Sequence, residues 1–197
     1  KVIGVEVDSG VADQPMSEEE LLQTFEQAWS SEGFLTREHE ERRLAQGRET
    51  LRRFFAQQHQ APERPSLIEE KFSFHLDDFV VVGRWDRVDG KADQAVIIDY
   101  KSSDFHDQAQ ANRRARESLQ MAVYALAWRT IHGCLPQRFE LRILETGVVG
   151  QTVLTQDDLE HTKERLREAA RDIRALDFHP EPKEFSCRWC AYQSICP

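Results

Sequence analysis

Residues 80–101 constrain the fold of this chain more than any other stretch. They contain most of two runs of strand length, residues 79–82 and 95–98, which are rich in β-branched side chains. Between the two runs stands Asp89-Gly90, a pair that is typical of a turn. The pattern predicts a two-stranded β-ribbon around which the rest of the chain has to pack.

Both strands of this ribbon end in charged residues. Because successive side chains on a strand point to opposite faces, Asp99 and Lys101 share one face, and Asp86 stands near the end of the other strand. A carboxylate is costly to bury unless a cation neutralises it. Magnesium and manganese take oxygen ligands, usually one or two carboxylates. Asp86 and Asp99 are therefore candidate metal ligands.

Lys101 gives this candidate site a possible catalytic cation. Two residues beyond Asp99, it would hold or activate an attacking water and offset the charge that builds up on a phosphorus-centred transition state. The alternative is a surface hairpin with scattered charges. An isolated D-x-K motif more often belongs to such a surface hairpin. The motif therefore supports a metal site only together with the residues around it.

The context is an ordered set of short motifs. G-R-W-D-R-V-D at residues 83–89 is followed by I-I-D-Y-K-S at residues 97–102, then by Gln120 and Tyr124, and finally by a C-x-x-C-x5-C tail. This combination resembles the RecB-type nuclease branch of the PD-(D/E)XK superfamily, whose members include nuclease domains of helicases of the RecBCD, AddAB and AdnAB kind. The resemblance covers roughly residues 38–197.

The resemblance implies a fold, an activity and a set of site residues. The expected fold is α/β, a restriction-endonuclease-like core with a central mixed β-sheet flanked by helices. The expected activity is that of a magnesium- or manganese-dependent DNA exonuclease in DNA repair or recombination, linked to a helicase and acting on single-stranded DNA or DNA ends. Asp86, Asp99 and Lys101 would be catalytic, the two aspartates would bind the metal, and Gln120 and Tyr124 would help to position DNA.

Two further family positions concern His39 and Glu69. The family takes one metal ligand from a histidine in a G-x-x-x-H helix, and His39 lacks that setting, so we expect His39 to be solvated. Glu69 resembles an acidic position that relatives carry on the preceding strand. It would either tune the metal site or form a salt bridge at the sheet edge.

The cysteine tail predicts a second metal centre. Cys187 and Cys190 have the spacing that lets two thiolates reach one metal, and Cys196 follows nearby. Three thiolates complete neither a tetrahedral zinc site nor a cubane cluster. The resembling nucleases bind a [4Fe-4S] cluster through three such cysteines and one far upstream. The fourth cysteine would then lie outside this chain, with zinc as the alternative metal and Cys134 as a substitute ligand that its spacing does not support.

Length and composition favour one soluble domain. We expect residues 1–197 to form a single nuclease domain, a fragment of a longer chain, with residues 183–197 as its cysteine-rich iron–sulfur tail. No apolar run approaches bilayer length and no signal peptide opens the chain, so the expected location is cytoplasmic, without a membrane partner. The net charge of −9 opposes nucleic-acid binding by bulk electrostatics. Phosphate contacts would need local clusters such as Arg113, Arg114 and Arg116.

Periodicity predicts the remaining elements. Residues 104–118 are expected to be a polar connection before a helix that reaches His132. The last helix is expected to direct Leu159, Leu166, Ile173 and Leu176 to the core. The other expectations are helices from residue 17 to near residue 33 and over residues 36–59, and strands over residues 66–76, 138–144 and 148–154.

Two functions of other classes remain open at this point. A catalytically inactive DNA-binding module of a helicase complex would keep the fold but would be free to lose the costly charges at Asp86, Asp99 and Lys101. A cysteine-metal adapter that binds proteins would explain the tail but not the D-x-K ribbon or Gln120.

Overall fold

The computed structural model describes residues 16–60, 65–102, 106–178, 180, 182, 187–188 and 190–196. Within these residues, strands and helices follow one another along the chain as the sequence pattern predicts, with one additional α-helix and one short 3-10 helix. The elements are α1 (Glu18–Gln27), α2 (Arg37–Gln60), β1 (Leu67–Leu76), β2 (Phe79–Asp89), a short 3-10 helix (Ala92–Gln94), β3 (Val96–Lys101), α3 (Gln108–Arg116), α4 (Leu119–His132), β4 (Arg138–Ile143), β5 (Val149–Thr152) and α5 (Gln156–Ala175).

The strands form one mixed sheet in the order β1-β2-β3-β4-β5. β1, β2 and β3 pair antiparallel, β3 and β4 pair parallel, and β5 returns antiparallel to β4. A parallel pair needs a long crossover connection, and α3 with α4 supplies it. The expected α/β fold with a mixed sheet flanked by helices is therefore confirmed.

The main core lies between the sheet and α4. Phe72, Ile97 and Phe139 come from three different strands and pack with the buried face of α4, which includes Met121 and Leu126. Gly83 lets β1 and β2 side chains approach closely, because a Cβ there would overlap the ring of Phe72. This core fixes β3 and α4 relative to each other, and both elements carry candidate site residues.

The prediction of a polar connection over residues 104–118 is wrong in one respect, because this segment contains helix α3. Asp107 caps the helix by accepting hydrogen bonds from the backbone N–H groups of Ala109 and Gln110. The only buried side chains of α3 are those of Ala111 and Ala115. Because both are small, the apolar stripe that marks a helix in a sequence is almost absent. Ala111 packs against β5 where Gly150 leaves room for it.

The apolar stripe predicted for α5 is only half correct. Leu159 is fully buried and Leu166 packs against the core. Ile173 and Leu176, which were expected to face the core, are 60% and 77% exposed. The second half of α5 contacts the tip of the β1–β2 hairpin through ion pairs instead, as between Arg167 and Asp77 at 2.6 Å.

Helix α2 contacts side chains of β2 and β3 on the face of the sheet that is opposite to α4. Phe54 meets the ring of Tyr100 edge-on, with 5.7 Å between ring centroids, and Gln58 accepts a hydrogen bond from Arg87 at 2.7 Å. Since Tyr100 alternates with Asp99 along β3, α2 and α4 hold opposite faces of this strand. No helix in the described residues is long and apolar enough to span a bilayer.

Candidate active site

The register of the sheet sets Asp86 beside Asp99. Arg87 and Ile98 are the last pair at one end of the β2–β3 ladder, and Asp86 and Asp99 are the next residues on the two strands, just beyond that pair. The Asp86 carboxylate is fixed, because its Oδ2 accepts a hydrogen bond from the backbone N–H of Tyr100 at 3.0 Å. Two carboxylates on adjacent strands therefore meet at the same end of the ribbon.

Asp99 is the most constrained member of this pair. It is only 1% exposed, and its Oδ2 accepts a hydrogen bond from Nζ of Lys101 at 2.8 Å. Its Oδ1 is buried and has no hydrogen-bond partner within the described residues. Burial raises the pKa of Asp99 above its usual value, and the charge of Asp86 raises it further, while Lys101 acts in the opposite direction.

These features fit a divalent cation. A buried carboxylate oxygen without a partner carries a full desolvation cost, and the adjacent Asp86 adds like-charge repulsion. A hard cation bound to the free oxygen of Asp99 and to Asp86 would remove both costs. With two carboxylates as ligands, the other coordination positions would be left to water and to phosphate oxygens.

A chain of hydrogen bonds holds Lys101 and links it to α4. Lys101 Nζ donates to Oε1 of Gln120 at 2.8 Å as well as to Asp99. The Gln120 amide in turn donates from Nε2 to the hydroxyl of Tyr124 at 2.7 Å. The two α4 residues, one helical turn apart, thus lie in the same cluster as the aspartates.

Tyr124 closes this cluster from the core side. It is 6% exposed, and its ring contacts Phe72 edge-on at a centroid distance of 5.9 Å. Burial raises the pKa of Tyr124 to about 12, against the effect of the Gln120 hydrogen bond and with a contribution from Asp86, Asp99 and Glu69. Tyr124 is therefore a neutral phenol at physiological pH, and a third carboxylate belongs to its surroundings.

That third carboxylate, Glu69, stands on β1 in an unusual backbone conformation. Its φ is 50°, the left-handed region that a non-glycine residue in a strand seldom adopts. The in-out alternation of β1 slips at this point, because Glu70 and Lys71 are exposed in succession. Glu69 forms the salt bridge that was one of its two predicted roles, accepting from Arg84 at 2.9 Å. The broken alternation was the available sequence signal for its special position.

Two nearby basic residues are structural rather than free. Arg87 is buried and binds Asp89 at 2.7 Å, so Asp89 stands outside the candidate site. Arg116, predicted as a phosphate contact, is bound to Asp158 at 2.7 Å. Of that predicted cluster, Arg113 and Arg114 are exposed.

The cysteine tail gives a different result from the ribbon. Cys187 is half-buried, while Cys190 and Cys196 are exposed. Among the residues that the structure describes, no three or more histidine, cysteine, aspartate or glutamate side chains are grouped so as to hold a metal ion. The iron–sulfur site is thus without structural support. His39 is exposed and contacts the ring of Phe34, as expected for a solvated histidine.

Comparison with known families agrees with the chemistry of the ribbon. The sequence model of the PD-(D/E)XK nuclease superfamily matches residues 5–197. A search of curated proteins returned no significant match.

Proposed function

Because the chain belongs to the PD-(D/E)XK nuclease superfamily, we propose that it hydrolyses DNA at a magnesium or manganese site formed by Asp86 and Asp99. The observation that carries this proposal is the buried Oδ1 of Asp99, which has no hydrogen-bond partner in the described residues. A chain keeps such a costly group where a ligand will satisfy it.

The cation would supply Lewis-acid polarisation of the scissile phosphate and acidification of a bound water. The residues of the chain then have separate tasks. Asp86, fixed by the Tyr100 N–H, and Asp99 define where the phosphate can sit. Lys101 is 41% exposed at its side chain, so its ammonium reaches the solvent side of the carboxylates. There it orients the attacking water and stabilises the negative charge that develops on phosphorus-bound oxygen.

Gln120 and Tyr124 support this proposal through Lys101. A lysine has a long flexible side chain, and a catalytic group must be held close to its productive position. The Gln120 carbonyl fixes one N–H of the ammonium, and Tyr124 fixes Gln120. This contact with Lys101 adds a positioning role to the DNA contact that the motif implies for the pair.

The broader biological setting is part of the proposal as well. The motifs at residues 83–102 and the cysteine tail resemble RecB-type domains. On this basis the chain acts as an exonuclease on single-stranded DNA or DNA ends, in cytoplasmic DNA repair or recombination, joined to a helicase. Cys187, Cys190 and Cys196 would hold a [4Fe-4S] cluster with a cysteine from outside this chain, or zinc in its place. The visible absorption spectrum of anaerobically purified full-length protein distinguishes the two metals.

Matched amide substitutions test the nuclease. We expect Asp86→Asn and Asp99→Asn to abolish metal-dependent cleavage of labelled single-stranded DNA. Asp93→Asn, the same change at an exposed position between β2 and β3, leaves cleavage at the parent rate. A parent-like rate in the Asp99→Asn protein would show that the site assignment is wrong.

A further inference from the structure

Asp86 stands at a point where the ladders on both sides of β2 are interrupted. In the β1–β2 ladder, the register passes from Arg87 to Trp85 without a pair at Asp86. In the β2–β3 ladder, the pair Arg87–Ile98 is the last one at this end. Neither of these described strands pairs with Asp86, so other contacts have to position its carboxylate.

The alternation of β2 also slips at this point. Trp85 and Val88 both belong to the hydrophobic core, although residues three apart point to opposite faces of a regular strand. The strand is therefore irregular between them, where Asp86 and Arg87 stand. Irregular strand positions often re-aim a side chain next to an active site. The direction of the Asp86 side chain thus does not follow from the strand alone.

The backbone of Tyr100 supplies the contact that ties this carboxylate to β3. Oδ2 of Asp86 accepts a hydrogen bond from the Tyr100 N–H at 3.0 Å, just beyond the end of the ladder. The side chain thereby satisfies a backbone donor that a neighbouring strand would otherwise satisfy. With Oδ2 bound to Tyr100, the direction of the carboxylate depends on where Tyr100 is held.

Arg87 is placed to hold the side chain of Tyr100. Ile98 stands opposite Arg87 in the ladder, and Tyr100, two residues further on, is the diagonal neighbour on the same face. Long and aromatic side chains reach each other across such a diagonal. Burial acts to lower the pKa of Arg87, but hydrogen bonds to Asp89 and to Tyr100 raise it above its usual value. The phenol of Tyr100 is therefore one of the groups that the guanidinium binds.

Further contacts make Arg87 a rigid support. It is 7% exposed, and its Nε and Nη2 donate to the two carboxylate oxygens of Asp89 at 2.7 Å and 3.0 Å. Nη1 donates to Gln58 of α2 at 2.7 Å. A two-point contact with a carboxylate fixes the plane of a guanidinium. Phe54 of α2 holds the Tyr100 ring from another side, edge-on at a centroid distance of 5.7 Å.

We propose that Arg87 is a positioning residue for the metal site: it holds Tyr100 so that the Tyr100 N–H aims the Asp86 carboxylate at a cation shared with Asp99. The inference rests on the proposed function for the identity of that site. Arg87 acts through Tyr100 and does not bind the cation, because its own charge is compensated by Asp89. The support replaces the strand pairing that is interrupted at Asp86.

Hydrogen exchange of the backbone amide of residue 100 tests this support without any metal. The exchange is measured by NMR on the whole chain in EDTA. Tyr100→Phe removes only the hydroxyl that Arg87 binds, and Arg87→Lys removes the fork. We expect this amide to exchange about five- to tenfold faster in both variants, the factor that corresponds to one net hydrogen bond. Gln58→Leu, which removes an acceptor of Arg87 on the α2 side, leaves the exchange at the parent rate.

Calorimetric titration of manganese tests whether the support serves the metal site. We expect the affinity to fall about tenfold in Tyr100→Phe and Arg87→Lys, as is typical when a metal ligand loses an outer partner, and to stay at the parent value in Gln58→Leu. If Arg87 were merely structural, Tyr100→Phe would leave both the exchange and the manganese affinity unchanged. Because Tyr100→Phe keeps the ring and the backbone N–H, it decides the question even if Arg87→Lys does not fold.

Failure of the support and failure of the metal site have different signatures. Parent-like exchange of residue 100 in Tyr100→Phe would overturn the positioning role of Arg87. Faster exchange with unchanged manganese affinity would overturn its role in the metal site. If the exchange responds as expected but the parent protein itself binds no manganese, the support of Asp86 stands and the proposed function is wrong.

Discussion

Replacing Asp99 by asparagine should make the metal-free protein more stable, although it removes a charged residue from an ion pair. The amide keeps the shape of the side chain and an acceptor oxygen for Lys101. It removes the charge from a site that is 1% exposed and where one oxygen has no partner in the described residues. The pKa of Asp99 is already raised by burial and by Asp86, so the ionised form is disfavoured in the folded state.

The expected magnitude follows from three contributions. Weakening the charge-assisted hydrogen bond from Lys101 costs about 1.5–3 kcal/mol, towards the lower end because that lysine is 41% exposed. An uncharged amide in place of the ionised carboxylate lowers the desolvation cost at this buried position by about 1–3 kcal/mol. Repulsion between two charges about 4–8 Å apart is about 2–4 kcal/mol at an effective dielectric constant of about 20. The balance is a stabilisation of about 2 kcal/mol, or about 4–8 °C in Tm for a chain of this size.

The assay is thermal and chemical unfolding of the parent, Asp99→Asn and Asp93→Asn proteins in EDTA and then in manganese. In EDTA, only Asp99→Asn should gain stability. In manganese the order of stability reverses, because a ligand at 100 times its Kd stabilises the parent by about 2.7 kcal/mol and the Asp99→Asn protein gains nothing. A metal-free Asp99→Asn protein less stable than the parent by 1 kcal/mol or more would refute the reasoning.

Three further predictions address the supports of the site. Gly83→Ala would place a methyl group against the ring of Phe72, which packs on Trp85 at a centroid distance of 4.7 Å. Chemical denaturation should therefore show a free energy of unfolding lower by about 1–3 kcal/mol. Parent-like stability would mean that the ring moves freely. Gln120→Leu should lower kcat about tenfold with KM unchanged, because it frees Lys101, whereas a pure DNA contact would raise KM. The hydrogen bond from Arg116 lowers the pKa of Asp158 below its usual value. Its stabilising effect, about 1 kcal/mol, is therefore present above the unfolded pKa of about 3.9 and lost as the pH falls towards the folded value. The stability difference between the parent and Asp158→Asn should vanish in acid, and a difference that persists at low pH would exclude this linkage.

The ribbon could be predicted from sequence because its signals are local. Alternation and a turn pair define two antiparallel strands, and a spacing of two places Asp99 and Lys101 on one face. The ion pair between them at 2.8 Å is compatible with that shared face. Gln120 was recognisable as an uncharged amide beside an apolar stripe, but its bond to Lys101 depends on how α4 crosses the sheet. Local pattern carries no such information.

The features that sequence did not predict depend on long-range packing. Helix α3 buries only alanines, so its helical period is hidden in a polar composition. Ile173 and Leu176 follow the helical period in the sequence, but both are exposed, and Leu176 stands just beyond the end of α5 in a left-handed conformation. The left-handed φ of Glu69 coincides with a gap in the β1–β2 ladder, between the pairs Ile68–Arg87 and Glu70–Trp85. Each case is a tertiary effect that overrides a local preference.

Calorimetric titration of manganese into the metal-free protein tests the central claim most directly. The account predicts that the parent and Asp93→Asn bind the ion with the same affinity and that Asp86→Asn and Asp99→Asn each lose this binding. Parent-like affinity in either of these two variants would contradict it, because the two carboxylates would then not share a cation.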